Sequence, residues 1–516
     1  MKKTSVRQII AYGAAGLIII VLLGLGYAKK KMVILKPKYV QGELLVKYKP
    51  SLSRATISAS FSKIRAEQIA VYTRLEVYRL KLPKDLKVNE AIKMLKQDPD
   101  VAYAEPNYYV YINYLPNDPR FSQQWSLNNT GSAGGTADAD IDAAEAWDTE
   151  RGDTSVVIGI TDTGIDYNHQ DLSANIWSNK HEIAGDGIDN DGNGYIDDIH
   201  GYDFVNNDND PVDDQNHGTH VAGIIGALGD NSLGIAGINY HTSMMALKFM
   251  KPITCGTFNC GASGNNADAA EAIIYAVNNK ARIINASWGG GEASNIIQDA
   301  LAYADSLGVL FVAAAGNDTK NNDTVPMFPA NYGSAPYNLQ NVISVASTDR
   351  NDQLSSFSNF GSTTVHLGAP GEDILSTIVG NTYDNMSGTS MAAPHVTGVA
   401  GLVWAHFPFL NHYQVKNCIL DNVDPIPSLA GKVITNGRLN AEKALQCVTQ
   451  PPDTMAAGPD TITLNSGKIQ GFQYIGSLNY VQRFKALDAL SYYCILLLPV
   501  IFILGWKRML RRKEKI

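Results

Sequence analysis

The chain has 516 residues, 45% of them apolar, a formal net charge of −8 and five cysteines. That length exceeds one hydrophobic core and implies two or three units of ordinary globular composition. Residues 113–448 carry 38 acidic and 13 basic side chains, whereas residues 29–112 carry 17 basic and 8 acidic; the contrast argues against nucleic acid as the partner of the acidic part and suggests that the basic part docks on it.

In residues 1–28, Lys2, Lys3 and Arg7 precede an apolar run from Ile9 to Ala28, followed by Lys29, Lys30 and Lys31. This is either an export signal, cleaved near Gly26, Tyr27 and Ala28, or a retained membrane anchor. Residues 39–112 then alternate as a strand over 39–48, a polar helix-like stretch, a second strand over 71–82, an amphipathic helix over 88–97 and a closing segment over 101–108. The order predicts a small α+β domain.

Residues 117–448 predict an α/β sandwich. Apolar runs of buried-strand type at 156–161, 244–249, 283–287, 309–314 and 342–346 alternate with helical stretches such as 267–279 and 294–307. That alternation predicts three layers around a mainly parallel sheet, with ligands at the C-terminal edge of the strands. Asp162 ends the first of these runs, and His217 opens an Ala/Ile/Gly-rich helix in Asn216-His217-Gly218-Thr219-His220. Asn317 ends the run Phe311-Val312-Ala313-Ala314-Ala315-Gly316, and Ser390 follows Gly388-Thr389 ahead of an apolar helix. A serine at a helix N-terminus can use its own N–H and the helix dipole to stabilise an oxyanion. It needs a histidine base and a carboxylate to orient that base, and an amide such as Asn317 can supply a second oxyanion donor.

The loop Asp189-Asn190-Asp191-Gly192-Asn193-Gly194-Tyr195-Ile196-Asp197-Asp198 places side-chain oxygens at alternate positions, a glycine at the turn and the carbonyl of Tyr195 next. This is the first part of an EF-hand-type calcium loop, with Asp189, Asp191, Asn193, Tyr195 and Asp197 as ligands. His200 occupies position twelve, so the missing carboxylate must come from Asp198 or elsewhere.

These motifs, in this order, resemble those of the subtilase (subtilisin-like) serine endopeptidases over about residues 117–448. The resemblance implies a triad of Asp162, His217 and Ser390 with Asn317 in the oxyanion hole. It implies that Ser287, Trp288 and Gly289 pair with the substrate backbone, that Ala313, Ala314, Ala315 and Gly316 wall the pocket before the scissile bond, and that Phe328-Pro329-Ala330 forms a turn around a cis-proline. Residues 39–112 resemble the family's propeptide, which implies an intramolecular inhibitor removed between about Val110 and Arg120. Similarity to thermitase-like members implies two further structural Ca²⁺ sites. One uses Asp203, Asn206 and Asp208 with backbone oxygens near Asp210 and Val212. The other joins Asp118, Asp171 and Asn231 to carbonyls of Leu228, Leu233 and Ile235.

Rival readings are weaker. An aspartic protease needs two carboxylates sharing a proton, and no second Asp-Thr-Gly or Asp-Ser-Gly occurs. A zinc site lacks the spacing and the further ligands, so His220 and His395 read as packing residues. A membrane-tethered, calcium-binding scaffold with an inactive protease fold is the alternative from another class, and the presence of every triad member counts against it. Cys255 and Cys260 can bridge a short loop, and Cys418 and Cys447 can clip C-terminal segments; Cys494 is left over. Residues 449–490 read as a linker or stalk, with linker composition over 449–467, and 491–506 form a short apolar segment ahead of the basic tail 507–516. The positive-inside rule puts both termini in the cytoplasm and the protease outside, in the cell envelope or released from it, acting on proteins or peptides.

Overall fold

A computed structural model describes residues 39–447 apart from 51, 110–114, 133 and 257. Both terminal apolar segments and the linker therefore lie outside the described residues. Among those described, no helix is long and apolar enough to cross a membrane.

The small domain runs β1 (Tyr39–Tyr48), α1 (Arg54–Lys63), β2 (Glu67–Tyr72), β3 (Val77–Lys81), α2 (Val88–Leu95) and β4 (Val101–Tyr108). Its strands form an antiparallel sheet in the order β2-β3-β1-β4. Alternation in β1 sends Leu44, Val46 and Tyr48 inward, where Ile92 and Leu95 of α2 and Phe61 of α1 cover them. The predicted second strand is a hairpin instead: the sequence 73–76 turns, and Glu76 takes a positive φ.

The larger domain is built on one nine-stranded sheet. Its elements are α3 (Ala143–Ala146), β5 (Gly152–Asp162), β6 (Gly201–Asp203), α4 (His217–Gly226), β7 (His241–Lys248), β8 (Met250–Cys255) and β9 (Phe258–Gly264). There follow α5 (Asn266–Asn278), β10 (Ile283–Ala286), α6 (Asn295–Ser306), β11 (Leu310–Ala314), β12 (Val342–Thr348), β13 (Leu367–Pro370), β14 (Ile374–Ile378) and β15 (Thr382–Met386). The chain closes with α7 (Thr389–His406), α8 (His412–Leu420), β16 (Asp424–Pro425), β17 (Gly437–Arg438) and α9 (Ala441–Leu445). The sheet order is β16-β17-β13-β12-β11-β10-β5-β7-β6, and all its pairs are parallel except β16 with β17. β8 and β9 form a separate hairpin, as do β14 and β15.

Because the strands are buried on both faces, they read as continuous apolar runs. One face packs Ile158, Ile160 and Val312 against Val221, Ile225, Val396 and Val399 of α4 and α7. The other packs Leu247, Ile284 and Phe311 against Ile273, Ala276 and Leu301 of α5 and α6. The three-layer expectation holds. Both expected disulfides form, Cys255 with Cys260 and Cys418 with Cys447, and the Phe328–Pro329 peptide is cis.

Candidate active site

The sheet's C-terminal edge gathers the expected residues. Asp162 ends β5, His217 opens α4, Asn317 follows β11 and Ser390 lies in the first turn of α7. The Asp162 Oδ1 atom lies 2.7 Å from His217 Nδ1 and also accepts the N–H of Thr163. Asp162 is fully buried and its Oδ2 has no hydrogen-bond partner, so its charge acts on the imidazole with little screening. Burial opposes protonation of His217, but the charge and hydrogen bond of Asp162, with the charge of Asp213, carry its pKa above the ordinary value.

Asp213 was not singled out by the sequence. Its Oδ1 accepts from Thr163 Oγ1 and from the N–H groups of Gln215 and Asn216, and its Oδ2 accepts from the N–H and hydroxyl of Thr219. It thereby satisfies donors at the start of α4 and fixes the end that carries His217. Gly218 lets that end approach β5, because a Cβ there would meet the carbonyl oxygen of Gly164.

The serine turn is held in the same manner. Pro394 lacks an N–H, so the carbonyl of Ser390 four residues earlier has no helical donor. Ser287 Oγ donates to it at 2.7 Å, Asn285 Nδ2 donates to Ser287 Oγ, and Thr397 Oγ1 donates to Asn285 Oδ1. The Ser390 hydroxyl donates to the carbonyl of Ser287 at 2.9 Å. Rotation about its Cα–Cβ bond must redirect it for proton transfer, as often applies in ligand-free sites.

Asn317 is oriented by Thr389. The Thr389 N–H and hydroxyl both donate to Asn317 Oδ1, which turns the Asn317 Nδ2 donors outward. A Cβ at Gly388 would lie 3.4 Å from Asn317 Nδ2 and 3.6 Å from the N of Ser390. The two donors therefore converge on the space that this glycine leaves empty, which suits an oxyanion.

Beside this edge, a cleft of about 290 Å³ runs between the Trp288–Gly290 backbone and Ala262, Ser263 and Gly264 of β9. The sequence identified the first wall and missed the second, for which a run of small residues was the available signal. Trp288 is fixed by its indole N–H to Thr161 Oγ1 and by an edge contact with Phe249. Ala313, Ala314 and Ala315 are buried in or behind β11; of that expected wall only Gly316 is partly exposed.

His220 and His395 are packing residues. His220 Nε2 meets the carbonyls of Ile374 and Asp384, and burial lowers its pKa to about 3. His395 Nδ1 meets the carbonyl of Met391, and burial lowers its pKa to about 4.

The three expected calcium sets differ in fit. In the 189–197 loop the carboxylates of Asp189 and Asp191 converge with Glu182, their oxygens within 4.8 Å of one another. Glu182 is the third carboxylate of that cluster, and its oxygens also accept the N–H groups of Asn190, Asp191 and Asp197. Asp197, expected as a ligand, instead accepts from the N–H groups of Gly185, Asp186 and Gly187. Asp198 turns to Asn179, Asn193 and Tyr275, Asn193 faces Asp191 and Asp198 through Nδ2, and the Tyr195 hydroxyl reaches Glu271. The Asp118 and Asp171 set brings two buried carboxylates under the 228–235 loop, which turns donors to them: the N–H groups of Asp230 and Ile235 and Nδ2 of Asn231, whose oxygen was the expected ligand. Burial, with a contribution from the charge of Asp171, raises the pKa of Asp118.

The Asp203 set does not fit. The Lys248 ammonium, with its side chain 4% exposed, lies 3.5 Å from Asp203 Oδ2 and 3.0 Å from Asp214 Oδ2. It also donates to the Val212 carbonyl at 3.0 Å, while Asn206 Nδ2 donates to Asp203 and the Tyr167 hydroxyl donates to Asp210. Asp208 Oδ1 accepts the N–H of Asp210. A protein cation stands where the ion was expected.

Comparison with known proteins agrees with this architecture. The model of the subtilase family matches residues 153–448, and that of the fervidolysin N-terminal prodomain matches residues 29–107. The chain is 35% identical over 411 residues to a thermophilic serine proteinase of Bacillus sp. (strain AK1), covering 80% of this chain and 88% of that protein. It is 37% identical over 334 residues to thermitase of Thermoactinomyces vulgaris, covering 64% of this chain and 100% of thermitase. A solved protease of Pseudoalteromonas arctica aligns with a TM-score of 0.50 and 29% identity over 64% of this chain and 99% of that one. The chain belongs to the subtilase family of serine proteases and carries a fervidolysin-type prodomain.

Proposed function

We propose that the protein is an extracytoplasmic endopeptidase, made as a self-processing zymogen, that hydrolyses peptide bonds through an acyl-enzyme on Ser390. The observation that carries this reading is the 2.7 Å contact between Asp162 and His217, at the sheet edge where the donors of Asn317 and Ser390 converge. His217 removes the Ser390 proton as Oγ attacks the carbonyl carbon. The carbonyl π electrons move to oxygen, where the Asn317 Nδ2 and the Ser390 N–H receive the negative charge. Asp162 stabilises the imidazolium, which then protonates the leaving amine as the C–N bond breaks. Water attacks the ester by the same route: His217 takes its proton and passes it to Ser390 Oγ as the acyl carbon–Oγ bond breaks, which releases the acid and restores the free hydroxyl and the neutral base.

Ser287, Trp288 and Gly289 on one side and β9 on the other offer extended backbone to a substrate strand. The small domain acts as the intramolecular inhibitor. The bonds of Asn117 and Arg120 to the 230–234 loop of the larger domain support removal upstream of Asn117. Calcium at the Glu182 and Asp118 sets would hold the long loops and that new N-terminus. The basic, apolar leader and the two disulfides support a location outside the cytoplasm, membrane-held or released.

The test is intact mass and N-terminal analysis of wild type beside Ser390→Ala in calcium. A cut upstream of Asn117 in the wild type alone, with fluorophosphonate labelling of Ser390, is the expected result. Cutting in the pure variant, or absence of labelling in the wild type, would return the chain to the inactive-scaffold reading.

A further inference from the structure

A second cavity lies across the sheet from the catalytic edge. Its volume is about 340 Å³, and it opens where β10 and β11 begin, between the end of α5, the end of α7 and the start of α8. Its walls are apolar, with Val277, Leu307 and Leu410 among them, and its charged groups are Lys280 and Arg282. A wall with two cations and no carboxylate is notable in a region where acidic side chains outnumber basic ones by 38 to 13.

Arg282 has its backbone locked between Val157 and Leu310. Its guanidinium lies 5.4 Å from the Trp404 ring centroid and makes one long hydrogen bond, 3.4 Å, to the carbonyl of Pro408. The indole N–H of Trp404 is occupied by the carbonyl of Leu410, so the stacking face is fixed. Burial lowers the pKa of Arg282, and among the described residues no carboxylate lies within ion-pair distance of it or of Lys280. A half-buried cation without an anion is costly, and most of the five guanidinium donors remain open. On the facing wall, His412 Nε2 is held by Asp305 at 2.8 Å. Its Nδ1 is buried without a partner, 3.6 Å from where a Cβ on Gly308 would lie. With Nε2–H donated to the carboxylate, Nδ1 presents a lone pair.

We propose that this cavity binds the carboxyl-terminal residue of a peptide. The Arg282 guanidinium takes the α-carboxylate, the apolar walls take the side chain, and His412 Nδ1 accepts the amide N–H. Each open group has one counterpart in that ligand, and an apolar residue with its acyl group suits the volume.

The experiment is calorimetric titration of the full chain with N-acetyl-leucine, N-acetyl-leucinamide and 3-phenylpropionate, before and after blocking the catalytic serine with a fluorophosphonate. Saturable binding of N-acetyl-leucine that survives blocking is expected. The amide and Arg282→Met should each weaken it about tenfold or more, the cost of one charge-assisted pair. The amide comparison uses the unmutated chain, so it stands even where Arg282→Met does not fold. Equal binding of 3-phenylpropionate would assign the cavity to organic carboxylates at large and overturn the peptide reading. Absence of saturable binding, loss on blocking, or binding indifferent to the carboxylate would also overturn it.

Discussion

Thr389 donates twice to one atom of Asn317: its N–H and its hydroxyl meet Oδ1 at 2.8 and 2.9 Å. The amide is thus fixed by the residue immediately before the nucleophile. Asn317→Leu should lower kcat by about 10²–10³ with little change in KM. Thr389→Val keeps the N–H and loses the hydroxyl, and should cost about tenfold in kcat, one hydrogen bond's worth. Steady-state kinetics on a peptide amide checks both, and an effect confined to KM would refute the orienting role.

The pH dependence follows from His217. The base must be neutral to accept the Ser390 proton, and its pKa lies above the usual histidine value. Activity should therefore fall on acidification with a midpoint above about 6.5 in kcat/KM. Asp213→Asn removes one of the charges that raise it, so the acid limb should move to lower pH. A limb that stays in place would show that Asp213 acts on α4 alone. The same shift makes His217 a source of stability below its unfolded pKa, lost as pH rises through the folded one.

Glu182 converges with Asp189 and Asp191, so chelation should lower Tm and hasten autolysis, and calcium at a hundred times Kd should restore about 2.7 kcal/mol. Glu182→Gln should shift the calcium dependence of Tm to higher concentration. Identical melting curves with calcium and with EDTA would dispose of the structural-calcium claim.

Lys248 and Asp203 are both buried. Lys248→Met leaves Asp203 without its cation and should cost about 3–5 kcal/mol. Urea unfolding at fixed calcium measures it. A loss below 1 kcal/mol would mean that an ion takes over the ammonium's place, which would restore the third calcium site.

Much of the scaffold was legible because a parallel sheet covered on both faces writes itself as apolar runs. β5, β7, β10, β11 and β12 all lie within a few residues of those runs. β8 and β9 were not legible: residues 250–264 mix Pro252, two cysteines and three glycines without alternation, and the disulfide and cross-strand bonds supply the order. Asp162, His217, Asn317 and Ser390 could be read because each stands at a strand end or helix start. Their supports could not. Asp213, Thr389, Glu182 and Lys248 act through partners that only folding brings near, and a lysine at the end of β7 gives no sign that its ammonium will reach Asp203 and Asp214.

The sheet that aligns these residues is assembled from distant stretches of chain. Thr161 meets Asn285 across 124 residues, and Ser287 meets Ser390 across 103. Such non-local pairing makes folding slow. During synthesis the nucleophile is made long after the acid and base, and no chain shorter than 390 residues holds all three. A newly made molecule therefore spends its most cleavable period harmless to its neighbours yet exposed to finished copies, so the yield of enzyme should depend on how thinly the folding chains are spread.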